Sequence, residues 1–134
     1  MVKNYGVREI HFSDDNISVN KNRIIGICNE IIERKLEIRW ACPTGIAIWS
    51  LDEKLLRIMK KAGCYRLTFG LESGNKETLD FIGKKYSYDT AKKLIKLANK
   101  LGFWTASTFI FGFPQEKKES IDDTISLAVN SELD

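Results

Sequence analysis

Cysteine is scarce in this 134-residue chain. There are three: Cys28 on a helical apolar stripe, and Cys42 and Cys64, which are expected to flank loops. An odd number at wide spacing excludes a disulfide framework, and no spacing matches a zinc or iron–sulfur signature. Long apolar runs are missing too: nothing approaches the ~20 residues that a membrane helix needs, and residues 1–6 have no signal-peptide core. A cytoplasmic protein with free thiols is the expectation. Charge of one sign is also lacking. Twenty-one basic and 18 acidic residues leave a net +3, too balanced for a nucleic-acid surface. The lysine pairs Lys60-Lys61, Lys84-Lys85, Lys92-Lys93 and Lys117-Lys118 read as solvated helix faces. No glycine-rich phosphate loop appears.

What is present is a repeated unit. Strand-like runs cover residues 9–13, 37–42, 65–71 and 105–111. Helical spacing links Ile24, Ile25, Cys28, Ile31 and Ile32, then Leu51, Leu55, Leu56 and Met59, then Ala91, Leu94, Ile95, Ala98 and Leu101. A last helix is expected over 118–129, with Ile121, Ile125 and Ala128 on its apolar stripe, and a short one over 76–82. Ser50 and Glu53 have the spacing of a capping box. Gly63 and Gly102 follow lysine-rich last turns and stop helices. Four β-then-α units in a row predict an α/β fold with a parallel sheet and right-handed crossovers, in one domain spanning residues 1–134.

Each strand runs into a knot of glycine or acidic residues: Ser13-Asp14-Asp15, Cys42-Pro43-Thr44-Gly45, Gly70-Leu71-Glu72-Ser73-Gly74 and Gly112-Phe113-Pro114-Gln115-Glu116. In parallel α/β folds ligands bind beyond the carboxyl ends of the strands, so the knots mark the functional rim. The strands also alternate. Ile10, Phe12, Ile38, Trp40, Leu67, Phe69, Leu71, Phe109 and Phe111 suit a buried face. His11, Ser13, Asp15, Arg39, Ala41, Arg66, Thr68, Gly70, Glu72, Thr108, Ile110 and Gly112 make the other face polar and small. Strands covered on both sides are more continuously apolar, so this pattern predicts the lumen of an open barrel.

Glu72 is the leading candidate residue, because flanking Gly70 and Gly74 allow close backbone approach and a carboxylate accepts from hydroxyl or amino groups. The alternative is an ion pair with Arg39 or Arg66. Gly112-Phe113 at a strand end suits a flat ring, or is simply a turn. Asp14 and Asp15 suit a metal or an ammonium group, but Asp14 or Asn16 equally suits capping of the next turn. The single histidine, His11, reads as an interior polar residue, Trp40 and Trp104 as core, and Trp49 as an uncovered apolar side chain.

The segments Val7-Arg8-Glu9-Ile10-His11-Phe12-Ser13-Asp14-Asp15, Met59-Lys60-Lys61-Ala62-Gly63-Cys64, Phe69-Gly70-Leu71-Glu72-Ser73-Gly74 and Phe111-Gly112-Phe113-Pro114 resemble, in order, the radical S-adenosylmethionine superfamily. The branch they resemble carries a cobalamin-binding domain and includes the anaerobic magnesium-protoporphyrin IX monomethyl ester cyclases. The resemblance implies a partial TIM-type barrel, here four consecutive units matching the second to the fifth. It implies S-adenosylmethionine and a [4Fe-4S] cluster as cofactors of the parent enzyme, and radical initiation by reductive cleavage. Asp14 and Asp15 would lie near the methionine amino group, Glu72 and Ser73 at the ribose or amino-acid moiety, and Ile110, Gly112 and Phe113 at the adenine.

The sequence departs from the family in three places. CxxxCxxC is absent, Gln115 and Lys117 stand where a glycine and a threonine are common, and Gly45-Ile46 stands where an arginine is often found. The expectation is therefore a central fragment of a larger enzyme, inactive alone and binding no metal, with the rest of the polypeptide as its partner. The substrate would be a small molecule, a tetrapyrrole being one candidate, and cobalamin in the parent stays open. Neither nucleic acid nor membrane is expected as a partner. A self-contained nucleotide- or cofactor-binding module and a half-barrel that self-associates through open sheet edges are the alternatives.

Overall fold

The computed structural model describes residues 2–134. A short helix, α1 (Val2–Tyr5), precedes β1 (Glu9–His11), α2 (Lys21–Glu33), β2 (Arg39–Ile46), a 3₁₀ turn (Ile48–Ser50) and α3 (Glu53–Lys61). Then come β3 (Cys64–Glu72), α4 (Lys76–Phe81), α5 (Tyr88–Lys100), β4 (Trp104–Phe109) and α6 (Lys118–Asn130). The four strands form one parallel sheet in the order β1-β2-β3-β4. Consecutive parallel neighbours joined by helices are what the repeated β-then-α units predict.

Local chemistry sets the helix ends. Asn20, Asp52, Asn75 and Ser87 each accept from a backbone amide at the start of α2, α3, α4 and α5. The cap of α3 is Asp52, not Ser50. Asp52 also takes Lys21 Nζ at 2.7 Å, and the Lys21 hydrogen bond, with the Leu55 amide, holds its carboxyl below the usual range. Ser50 is buried in the 3₁₀ turn, where its hydroxyl donates to Ala47 O at 2.6 Å and pairs with Ser18 Oγ.

One face of the sheet is the core. Trp40, Leu67, Phe69 and Leu71 are fully buried against Ile24 and Cys28 of α2, Leu55, Leu56 and Met59 of α3, and Ala91, Ile95 and Ala98 of α5. The opposite face is open: His11, Arg39 and Thr108 are exposed. The polar alternation of the strands thus corresponds to a face without helices.

Five further expectations need correction. The second knot lies within β2, which continues past Cys42 to Ile46 through an irregularity in its pairing with β3. Cys42 and Cys64 lie buried in strands, not beside loops. Trp104 is 48% exposed, because β4 turns Thr105 inward and Trp104 onto the open face, where Arg66 stacks on it at 4.3 Å. Phe111 lies beyond the end of β4 and is exposed. In α6 the buried residues are Ser120, Thr124 and Leu127, while Ile125 is exposed. A polar contact explains this last reversal: Thr124 Oγ1 accepts from Gly74 N and lies 3.0 Å from Ser73 Oγ. Gly74 itself has no room for a side chain, since a Cβ there would collide with the backbone of Asp123.

Candidate functional site

A cleft of about 340 Å³ opens at the carboxyl ends of the strands. β1's following loop brings Asp15, the end of β2 brings Thr44 and Gly45, the end of β3 brings Gly70 and Glu72, and β4 brings Thr108. Lys84 enters from the segment between α4 and α5, and Trp49 from the 3₁₀ turn.

Glu72 is the most constrained residue of the cleft. Its φ of +65° is in the left-handed region, which costs a residue with a Cβ about 1 kcal/mol or more. Three interactions hold it there. Its carbonyl accepts from Ile110 N at 2.8 Å. Tyr86 Oη bridges the carbonyls on either side, lying 2.6 Å from Leu71 O and 2.8 Å from Ser73 O. Its carboxylate meets Lys84 Nζ at 3.2 Å. Burial, with the Glu72 charge adding to it, pushes the Tyr86 phenol well above the usual tyrosine range, so it stays a donor. Gly70 matters to the same carboxylate, because a Cβ there would sit 3.0 Å from Glu72 Oε1.

The candidate residues separate on inspection. Asp15 and Glu72 line the cleft together. Ile110 is next to it, tied by its amide to Glu72 and 46% exposed. Asp14 turns outward to Arg23 at 2.7 Å, and its carbonyl accepts from Thr44 Oγ1. Asn16 caps a turn by accepting from Ser18 N and Ser18 Oγ. Ser73 is fully buried against Thr124 and offers no free hydroxyl to a ligand. Gly112 and Phe113 do not line the cleft. Their amides donate to Glu116 Oε2 at 2.6 and 3.0 Å, and the Phe113 ring meets Phe81 edge-on at 6.2 Å.

Lys84 and Tyr86 were not expected at the site. Lys84 belongs to a lysine pair that reads as solvent-facing, yet it pairs with a carboxylate that is only 16% exposed. Glu72 pairs with neither Arg39 nor Arg66. Those arginines lie at the other end of the open face, over Tyr65 at 4.4 Å and Trp104 at 4.3 Å. His11 is not interior. It is exposed there too, 2.8 Å from Glu9 Oε1.

The three thiols are buried in the core. Burial pushes Cys28 up to about 11 and raises Cys64 as well, so these two are protonated thiols and not the thiolates that bind metal. Among the described residues no three His, Cys, Asp or Glu side chains stand together as a metal-ligand set.

Comparison with known proteins places this geometry. The family model of the Radical SAM superfamily matches residues 1–128. The chain is 35% identical to an uncharacterised methyltransferase of Pyrococcus horikoshii over 97% of its own length and 28% of the relative's. It is 29% identical to an anaerobic magnesium-protoporphyrin IX monomethyl ester cyclase of Rubrivivax gelatinosus, covering 96% of the chain and 23% of the relative. The chain thus spans about a quarter of the length of these relatives. Among solved structures it superposes on the radical S-adenosylmethionine methyltransferase TsrM of Kitasatospora setae, which has cobalamin and a [4Fe-4S] cluster bound. The TM-score is 0.87 at 18% identity, over 98% of this chain and 27% of that one. The fold is therefore part of the TIM-type barrel of these enzymes.

Proposed function

The chain belongs to the radical S-adenosylmethionine superfamily, and from that premise we propose that residues 1–134 are part of a core domain and supply one wall of an S-adenosylmethionine site. The observation that carries the reading is the pair of carboxylates, Asp15 and Glu72, lining one cleft at the carboxyl rim of a parallel sheet. Carboxylates there accept hydrogen bonds from ribose hydroxyls and attract the methionine ammonium. Asp15 and Glu72 make these contacts. Ile110, beside the cleft, is on the adenine side, and Gly112 and Phe113, which do not line the cleft, act one step back through the loop that Glu116 ties. Asp14 and Ser73 act one step back, by fixing the β1 loop and the turn after Glu72.

Family membership also implies a [4Fe-4S] cluster, which supplies the electron for reductive cleavage. The residues of this chain do not fit it: the three thiols are core residues, and burial holds Cys28 and Cys64 protonated. We therefore assign the cluster and the radical chemistry to a longer polypeptide, a reading that the one-quarter coverage of the relatives supports. A cobalamin would belong to that larger protein as well. For its substrate, the relationship to the cyclase supports a tetrapyrrole.

Two measurements test the proposal. Calorimetric titration with S-adenosylmethionine should give binding, and titration with a nucleoside triphosphate should not, because the acidic cleft has no phosphate loop. The reverse order would favour a nucleotide-binding module. After anaerobic reconstitution with iron and sulfide the chain should stay colourless. A stoichiometric iron–sulfur absorption band would contradict the assignment of the cluster elsewhere.

A further inference from the structure

Trp49 is a large side chain whose placement the core does not account for. Its turn is anchored on both sides, since Ile48 and Ser50 are buried and the Ser50 hydroxyl is tied to Ala47 and Ser18. The indole itself is 53% exposed. Leaving a large apolar ring in water forgoes the hydrophobic gain of burying it. The turn thus fixes the ring on the surface instead of hiding it.

Three hollows meet at this indole. One is the carboxylate cleft. A second, of about 370 Å³, is lined by Trp49, Gly83 and Lys85. A third, of about 480 Å³, runs from Trp49 along Ser18 and Asn22. All are within the size range of small-molecule sites. The second hollow has the most specific chemistry. Gly83 is left-handed at +72°, with open space where a Cβ would stand, so the wall beside Lys85 is low. Lys84 is engaged by Glu72, whereas Lys85 has no carboxylate partner among the described residues. An exposed indole beside an unpaired ammonium suits a ligand with a flat ring and an acidic group. The ring stacks on the indole and the acid meets the ammonium.

We propose that the Trp49–Lys85 hollow is a substrate subsite for a planar aromatic acid. The proposal rests on reading the neighbouring cleft as the cofactor site, because the shared indole wall would hold such a ligand beside the cofactor.

The test uses the whole chain and two probes of one shape and opposite charge, a naphthoate ion and a naphthylmethylammonium ion, followed by NMR at the three indole N–H groups. Trp49→Phe assigns the Trp49 signal. Trp40, which is buried and donates to Ala62 O at 2.9 Å, and Trp104, at the far end of the open face, serve as internal references. Naphthoate should shift the Trp49 signal and bind more tightly than the cation, and Lys85→Glu should weaken it by about fivefold or more. Equal affinity for the two probes, or no change with Lys85→Glu, would overturn the proposal. So would a shift at Trp104 instead, or no shift at millimolar probe, the result expected if the indole docks only against another protein segment. S-adenosylmethionine is titrated into the same samples. Shifts at Gly70 and Glu72 without a naphthoate response would remove the subsite alone. A naphthoate response without those shifts would remove the cofactor reading alone.

Discussion

The two ends of the open sheet face are built from similar residue types and differ in how far those residues satisfy one another. At the amino ends of the strands, Glu9 accepts from Tyr65 Oη at 2.6 Å and lies 2.8 Å from His11 Nε2. Arg39 covers Tyr65 and Arg66 covers Trp104. Each charge there lies against a polar or aromatic group of the sheet, although Arg66 Nε has no hydrogen-bond partner and Arg66 meets only the Trp104 ring. At the carboxyl ends, Glu72 is held left-handed by bonds to its backbone, and its carboxylate faces a cleft with a single lysine as neighbour. Asp15 lines the same cleft. Polar residues that complete one another stabilise a layer. Polar residues held in a strained geometry and left facing a cleft are available to a ligand.

The contrast breaks first, if it is wrong, at the carboxylates. Glu72→Gln should weaken S-adenosylmethionine binding by about tenfold or more, with little loss of melting temperature. Glu9→Gln should leave that affinity unchanged. Equal losses from the two variants in calorimetric titration would erase the distinction between the ends.

Tyr86→Phe should have the next largest effect. It keeps the ring but strips two carbonyls of their donor, which costs about 1–3 kcal/mol for buried groups, read by urea unfolding. The turn that fixes Glu72 is loosened as well, so affinity should fall with stability. Tyr65→Phe, at a half-buried position on the open face, should cost less stability and no affinity. A Tyr86 variant as stable as the parent would show that the bridge does not hold the turn.

The smallest effect is one of pH. Hydrogen bonds from Tyr65 and then His11 hold the Glu9 carboxyl below its ordinary value. A carboxyl depressed in the folded state stabilises above its unfolded pKa, and the contribution is lost as pH falls through the folded value. The same Glu9 bond raises Tyr65, so that contribution is present below the ordinary tyrosine value and lost as pH rises through the raised one. Glu9→Gln should remove both slopes from the curve of unfolding free energy against pH. Slopes unchanged in the variant would place their origin elsewhere.

The fold was readable because alternation and helical spacing are local, and the strands and most helices stand where those patterns put them. Asp15 and Glu72 were readable for the same reason, since parity puts both on the open face near a strand end. Trp104 shares the parity of Thr108 and so belongs on that face; its size suggests core only if the parity is ignored. Lys84 and Tyr86 could not be found this way. Their partners lie 12 to 15 residues upstream, in a strand, and only the path of α4 brings them back. The Ser73 hydroxyl is taken by Thr124, 51 residues away, which reaches it only once α6 has docked, so the local sequence does not show it as engaged.

The central claim is that the carboxyl rim, and not the amino end of the same face, takes the cofactor. Backbone amide NMR of the labelled chain during S-adenosylmethionine titration tests it most directly. Signals of Asp15, Gly70, Glu72 and Thr108 should move together, while those of Glu9, Arg39, Tyr65 and Trp104 stay in place. Movement confined to the second group, or no movement at the rim at millimolar ligand, would contradict it.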